Sequence, residues 1–90
     1  MTVNQIIQEL EEILSKINNV DSGLQETNGH IQKISLKIQS MGDNRDESER
    51  QKFSQSSIFL TQACNELVNA IENNGCVARE IQEYICLLRS

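Results

Sequence analysis

Apolar residues recur along the first half of the chain at alternating steps of three and four positions. The series runs from Val3 to Met41, and its one polar member is Thr27. Such a repeat returns to one face of an α-helix and is typical of a coiled-coil seam, so it predicts a helix of roughly 60 Å over about residues 3–41. Its positions are Val3, Ile6, Leu10, Ile13, Ile17, Val20, Leu24, Thr27, Ile31, Ile34, Ile38 and Met41.

A second stripe with the same alternation predicts a second helix over about residues 47–88. Its seam comprises Phe53, Ser57, Leu60, Cys64, Leu67, Ile71, Asn74, Ala78, Ile81, Ile85 and Leu88. A further column lies beside this seam, at Ser56, Ala63, Ala70, Val77 and Tyr84. On the first helix, Ile7 and Leu14 widen the stripe beside Ile6 and Ile13. Both helices therefore carry more apolar surface than a two-stranded coiled coil requires.

The segment between the stripes predicts a turn at Met41, Gly42 and Asp43. Gly42 can take at little cost the left-handed backbone conformation that ends many helices. Asp43, Asn44, Asp46 and Ser48 are all candidates for the N-cap of the second helix, and Asp46, followed three positions later by Glu49, resembles a capping box. The turn is the clearest boundary in the sequence, and it divides the chain near its middle.

Two long helices joined by a short turn must run antiparallel, so residues 1–90 are predicted to form a single all-α hairpin domain. Thr2 and Gln5 fit a capping box at its start. The columns beside the seams stay partly uncovered in a lone hairpin, and a partner or a second copy would cover them in a four-helix bundle. Glycine and asparagine in 22–29 and 73–75 leave helix breaks open there, although the unbroken phase of the stripes favours continuous helices.

The charge of the chain argues against several classes of partner. Its net charge is −5, and its eight Lys and Arg residues are scattered along the chain. Nucleic acids and anionic membranes draw affinity from clustered cations, so neither is an expected partner. No apolar run approaches the roughly 20 residues of a membrane span, and the N-terminus lacks the pattern of a signal peptide. The sequence therefore indicates a cytoplasmic protein, with export without a cleaved signal left open.

Candidate chemistry is sparse. Cys64, Cys76 and Cys86 would lie too far apart on one helix for a disulfide, and we expect buried, reduced thiols that fill the core. An intermolecular bridge, a reactive thiol and a metal ligand are the alternatives. His30, the single histidine, falls beside the seam and is expected to be solvated. Since no nucleophile stands beside a base and no phosphate-binding glycine loop occurs, the sequence predicts neither enzymatic activity nor a cofactor.

Together these features resemble the WXG100-like superfamily of small acidic helical hairpins associated with type VII secretion in Gram-positive bacteria. The resemblance rests on the central turn at Met41-Gly42-Asp43, on the aromatic residue of Gln51-Lys52-Phe53, and on a second helix of small and apolar residues with a late Tyr84. Two motifs of the superfamily differ here. Ser40-Met41-Gly42 keeps only the glycine of W-x-G, and Leu88 stands where Y-x-x-x-D/E has its acid.

A subgroup without these two motifs fits better, namely the small helical proteins encoded beside LXG-domain toxins. This resemblance implies a non-enzymatic adaptor that packs against the helical N-terminal domain of a secreted toxin and supports its export. A second small helical protein could join the complex. The residues expected at the partner interface are Ile7, Leu14, Phe53, Phe59, Leu60, Ala63, Leu67, Ala70, Val77 and Tyr84. For Phe59 the alternative is an isolated apolar residue on the surface.

Two other functions stay open at this point. The chain could be a homodimeric four-helix bundle, either a secreted WXG100-like protein or a structural coiled-coil module. It could also be an immunity protein that binds the catalytic domain of a toxin. An LXG toxin gene beside the gene for this chain would favour the adaptor.

Overall fold

The fold is an antiparallel hairpin of two long helices, seen in a computed structural model that describes residues 1–43 and 45–90. Helix α1 spans Val3–Gly42 and helix α2 spans Glu47–Arg89. The helices pack against each other in a molecule 67 Å long, 16 Å wide and 15 Å deep. The predicted all-α hairpin is confirmed, and both helices are continuous through 22–29 and 73–75.

Both helices begin at the predicted capping residues. The Gln5 backbone N–H donates to Thr2 Oγ1 at 3.2 Å, and the Thr2 backbone N–H donates to Gln5 Oε1 at 2.8 Å. These two bonds form a capping box and satisfy backbone donors that a first helical turn leaves free. At the start of α2, the Glu49 backbone N–H donates to Asp46 Oδ1 at 2.9 Å. The Glu49 carboxylate lies 3.5 Å from the Arg45 guanidinium.

Gly42 does not take the left-handed conformation that a glycine can adopt at a helix end. No described glycine has a positive φ, and Asp43, which caps α1, has a right-handed φ of −62° and ψ of −30°. Gly42 allows a close approach instead. A Cβ on this residue would lie 3.2 Å from the Phe53 Cβ, which is closer than ordinary van der Waals contact. Because Gly42 has no side chain, the first turns of α2 pack directly on the end of α1.

The buried face of α2 matches its predicted seam, whereas the buried face of α1 differs by one column. Every seam position of α2 is buried or half-buried. On α1, Leu10 and the residues at steps of seven after it, up to Ile38, face inward as predicted. The second inward column begins at Ile7, whereas the prediction began it at Ile6. Ile7 is 6% exposed. The inward positions of α1 are Ile7, Leu10, Leu14, Ile17, Asp21, Leu24, Asn28, Ile31, Ser35, Ile38 and Gly42. The outer column, which we call the Ile6 column, comprises Ile6, Ile13, Val20, Thr27, Ile34 and Met41.

Hydrogen bonds between the helices stabilise this orientation of α1. Asn74 Nδ2 donates to Asp21 Oδ1 at 2.8 Å, and the Ser35 and Ser57 hydroxyl oxygens lie 3.1 Å apart. Gln39 Nε2 also donates to Ser57 Oγ at 2.9 Å. Polar groups are tolerated in a packed interface when each finds a partner, and α2 supplies partners for these three. The prediction for α1 is corrected accordingly, because a partly polar column packs inward and an apolar column remains outside.

We expect the Asp21–Asn74 pair to contribute to stability through its pairing. Replacing Asn74 alone with leucine leaves the half-buried Asp21 carboxylate without its donor, and should lower the free energy of unfolding by roughly 1–3 kcal/mol. Replacing both residues with leucine should recover that loss or exceed the parent, since buried polar pairs often add little over apolar packing. Urea unfolding of the parent, Asn74→Leu and Asp21→Leu/Asn74→Leu proteins measures the difference. A double variant less stable than Asn74→Leu would contradict this expectation.

Candidate partner-binding face

The two columns just outside the hairpin seam share one side of the molecule. On α1 this is the Ile6 column, and on α2 it is the column that contains Ala63 and Tyr84. Each lies one position before an inward column, and in an antiparallel helix pair such positions fall on the same side. We call this side the apolar flank. Its apolar members are Ile6, Ile13, Val20, Ile34 and Met41 on α1, and Ala63, Ala70, Val77 and Tyr84 on α2.

The apolar flank is exposed along the length of the hairpin. Val20 and Met41 on α1 are 55% and 53% exposed, and Val77 and Tyr84 on α2 are 45% and 51% exposed. Single exposed apolar residues are ordinary on a protein surface, whereas a continuous row of them marks an interaction surface. Neither helix covers the row. The flank is therefore the candidate functional site of the described part of the chain.

Two further apolar residues extend the flank on its α2 edge. Phe59 precedes Ala63 by about one helical turn, and Leu87 follows Tyr84 by slightly less than one turn. Both side chains are exposed. Since neighbouring turns of a helix share a face, these residues widen the apolar surface at both ends of α2.

The opposite flank carries more polar side chains, together with the exposed apolar residues Leu36, Ile58 and Val68. Arg89 Nη2 donates to Glu11 Oε1 at 2.6 Å, an ion pair that joins the end of α2 to the early turns of α1. Two open grooves of about 620 and 360 Å³ lie between the helices farther along this side. Their walls include the amide and hydroxyl side chains of Gln32, Ser35, Gln39, Ser54, Ser57, Thr61 and Gln62. Apolar residues on this side alternate with amides and hydroxyls, whereas the apolar flank has apolar residues at nearly every position of its two columns.

The structure divides the predicted interface residues into two groups. One group is exposed or half-exposed on the apolar flank or its edge, and comprises Phe59, Ala63, Ala70, Val77 and Tyr84. The other group lies in the hairpin seam, and comprises Ile7, Leu14, Phe53, Leu60 and Leu67. For Ile7 and Leu14 this corrects the prediction that they stand beside the seam. They are packed between the helices, so an intact hairpin does not offer them to a partner.

Sequence reasoning missed the α1 half of the apolar flank. The Ile6 column was assigned to the contact with α2, although it is the outer column of α1. The start of α1 indicates this ambiguity, because Ile6, Ile7 and Leu10 each begin a separate apolar column, and the three columns are adjacent. A single neighbouring helix covers two such columns, and which two it covers depends on the polar residues farther along α1 and on their partners in α2.

The prediction that all three cysteines are buried in the core is wrong for two of them. Cys64 is buried in the seam, but Cys76 and Cys86 are exposed because both fall outside it, and all three thiols are free.

His30 is exposed, as expected. Among the described residues, no group of three or more His, Cys, Asp or Glu side chains is placed to hold a metal ion. No described helix is both long and apolar enough to cross a membrane.

No protein-family model matches the chain, and no curated protein or solved structure is significantly similar to it. The surface of the hairpin is therefore what indicates its function.

Proposed function

We propose that this chain is a non-enzymatic helical adaptor that binds the helical N-terminal domain of a type VII-secreted LXG toxin and supports its export. The observation that carries the proposal is the orientation of α1, which buries a partly polar column and leaves its more apolar column exposed. A hairpin that functioned alone would gain free energy by burying the apolar column instead. The orientation found here suits a protein whose apolar flank is covered by another molecule.

The shape of the flank favours helices as the binding element of the partner. The hairpin is 67 Å long and 16 Å wide, so two partner helices about 8–10 Å apart fit side by side on it. Small residues such as Ala63 and Ala70 allow a helix to approach closely, and Val77 and Tyr84 supply larger contact areas. Two partner helices on this flank would complete a four-helix bundle.

The choice of an LXG toxin rests on the resemblance to the small helical proteins encoded beside such toxins. Features that support it are the turn at Gly42, the close Phe53 beside it, and the late Tyr84 on the exposed flank. Packing between apolar helices requires no reactive group, which agrees with the scarcity of candidate chemistry in the sequence. In this proposal the adaptor meets the toxin domain in the cytoplasm before export.

Co-expression of the chain with the helical N-terminal domain of an LXG toxin encoded beside it tests the proposal. We expect a stable one-to-one complex by size-exclusion chromatography with light scattering, and a loss of toxin export when the gene for this chain is deleted. The catalytic domain of the same toxin serves as the control and should not bind. Failure to form a complex with the helical domain, or binding to the catalytic domain instead, would overturn the proposal.

A further inference from the structure

Two Asn-Gly pairs lie in the middle third of the hairpin, one on each helix. Asn28 precedes Gly29 on α1, and Asn74 precedes Gly75 on α2. Both asparagines are half-buried at inward positions. An asparagine loses its side-chain amide most readily before a glycine, because glycine has no side chain to shield its own backbone nitrogen from reaction. The seam of this hairpin therefore contains two labile amides.

The two pairs lie in the stretches of each helix that have the lowest helix propensity. These stretches are residues 22–29 of α1 and residues 73–75 of α2, and both contain glycine and asparagine. The hydrogen bond from Asn74 Nδ2 to Asp21 Oδ1 places them next to each other along the hairpin. A Cβ on any glycine of these stretches would meet no atom of the facing helix within 4 Å. Local opening is most frequent where propensity and packing are both weak, which is here the middle of the molecule.

The closed helix protects Asn74, and local opening exposes it to reaction. In a continuous helix the Gly75 N–H donates to the carbonyl four residues earlier, which keeps the Gly75 nitrogen away from the Asn74 side chain. Once the segment opens, this nitrogen can attack the Asn74 Cγ and form a cyclic imide. The side-chain nitrogen leaves as ammonia, with the proton of the attacking N–H. Water then opens the ring and leaves either aspartate or isoaspartate, in which the main chain is one carbon longer.

The carboxylate formed from Asn74 would face another carboxylate. In the intact hairpin Asn74 Nδ2 donates to Asp21 Oδ1 at 2.8 Å. Deamidation replaces this donor with a second acid, so the hydrogen bond is lost and two negative charges stand opposite each other in a half-buried seam. Charges repel more strongly in a partly desolvated seam than in water. The helices are therefore driven apart at the point where they opened to allow the reaction.

We propose that Asn74 is a site of spontaneous deamidation, which converts a transient opening of the hairpin into a permanent one. The reaction requires only water, and it does not reverse because ammonia is released. Asn28 has the same pairing with glycine, and its Oδ1 is buried without a hydrogen-bond partner. The Asn74 site differs because its side chain is bonded to an acid. This inference concerns the free chain and does not rest on the adaptor function.

Peptide mapping of the free chain tests the site itself. The chain is held in native buffer at mildly alkaline pH, and mass spectrometry follows the conversion of each asparagine. We expect Asn74 to react well ahead of Asn65 and Asn69, which are exposed on the same helix but are followed by glutamate and alanine. If Asn74 reacts no faster than these two residues, the helix protects it fully and the proposal is overturned.

Gly75→Ala tests the attacking nitrogen. Alanine fits at this position, because no atom of the facing helix lies within 4 Å of its Cβ. The matched control is Gly23→Ala, which strengthens the adjoining stretch of α1 and leaves the Asn-Gly pair intact. The control should slow the reaction at Asn74 by at most about fivefold, through less frequent opening, and Gly75→Ala should slow it by more, since its methyl group also hinders the attack. Equal slowing by the two variants would overturn the proposal.

Asn74→Asp reproduces the aspartate product and tests its consequence. We expect it to raise the equilibrium constant for unfolding, measured in urea, by about tenfold or more. Asn73→Asp adds the same charge at an exposed neighbour, and should change the constant by less than about threefold. Asp21→Asn/Asn74→Asp exchanges the donor and the acceptor, so it should return to within about threefold of the parent. A double variant as unstable as Asn74→Asp would overturn the proposal.

Discussion

A variant with glutamate in place of Ala70 and Val77 is expected to keep its helical fold and lose its partner. Both residues lie on the apolar flank and outside the hairpin seam, so the added carboxylates point into solvent while the hairpin is alone. When a partner helix covers the flank, two charges become buried without partners, which costs several kcal/mol. We expect affinity for the toxin domain to fall at least about 100-fold.

The matched control for this variant is Gln62→Glu/Asn69→Glu. These residues lie on the same helix with the same spacing of seven positions, add the same charge, and are exposed outside the apolar flank. The control should bind like the parent, which separates the effect of position from that of net charge. Isothermal titration with the toxin domain and circular dichroism of each protein give binding and fold. Equal affinity of the Ala70→Glu/Val77→Glu variant and the control would exclude this flank as the interface.

Truncation of Ile85 to alanine is expected to cause the largest loss of stability of any single seam substitution. Ile85 is 5% exposed, and Ile7 and Cys64 are the other apolar residues buried to a similar degree in the described chain. Removing three carbon atoms there loses their burial and leaves a cavity, which lowers the free energy of unfolding by roughly 2–4 kcal/mol. For a hairpin with so few buried side chains, this is a large share of the total stability.

Ile58→Ala provides the control, because Ile58 is 55% exposed and lies on the side of α2 away from the apolar flank. The same chemical change there should alter the free energy of unfolding by at most about 0.5 kcal/mol. Urea unfolding followed by circular dichroism at one protein concentration compares the two variants. Similar destabilisation by both would mean that the seam around Ile85 is not packed as the structure shows.

The seam of α2 could be predicted from the sequence because the larger aliphatic side chains select one of its two possible columns. Ile71 and Ile85 stand in the seam column, whereas the column beside it has Ala70 and Tyr84, and the seam column is the one buried. The capping residues Thr2 and Asp46 were also predictable, since a side-chain acceptor three positions before a free backbone donor is a local signal. Local patterns of this kind need no knowledge of the partner helix.

The seam of α1 could not be predicted in the same way. Its apolar residues occupy the Ile6 column as well as the Leu10 column, and the Ile7 column becomes polar at Asp21. Hydrophobic periodicity favours the Ile6 column, whereas the structure buries the Ile7 column. In that column Asp21 and Ser35 find hydrogen-bond partners on α2, and the Asn28 side-chain oxygen is buried without one. Those partners, such as Asn74, are far away in sequence, so a local pattern does not reveal them.

The same limit applies to the turn and to the candidate site. The role of Gly42 depends on the approach of Phe53, which is a tertiary contact and not a preference of the glycine backbone. The α2 half of the apolar flank, including Ala70 and Tyr84, followed from the column beside the α2 seam. The α1 half could be recognised only once the orientation of that helix was known.

The solvent exposure of Tyr84 tests the central claim most directly. It is the one tyrosine of the chain, it lies on the apolar flank, and it is 51% exposed in the hairpin. With fluorotyrosine incorporated at this position, the solvent isotope shift of its fluorine NMR signal reports contact with water. We predict a clear loss of that shift when the toxin domain binds. An unchanged shift in a formed complex would mean that the partner binds elsewhere, and would contradict the assignment of the apolar flank as the functional surface.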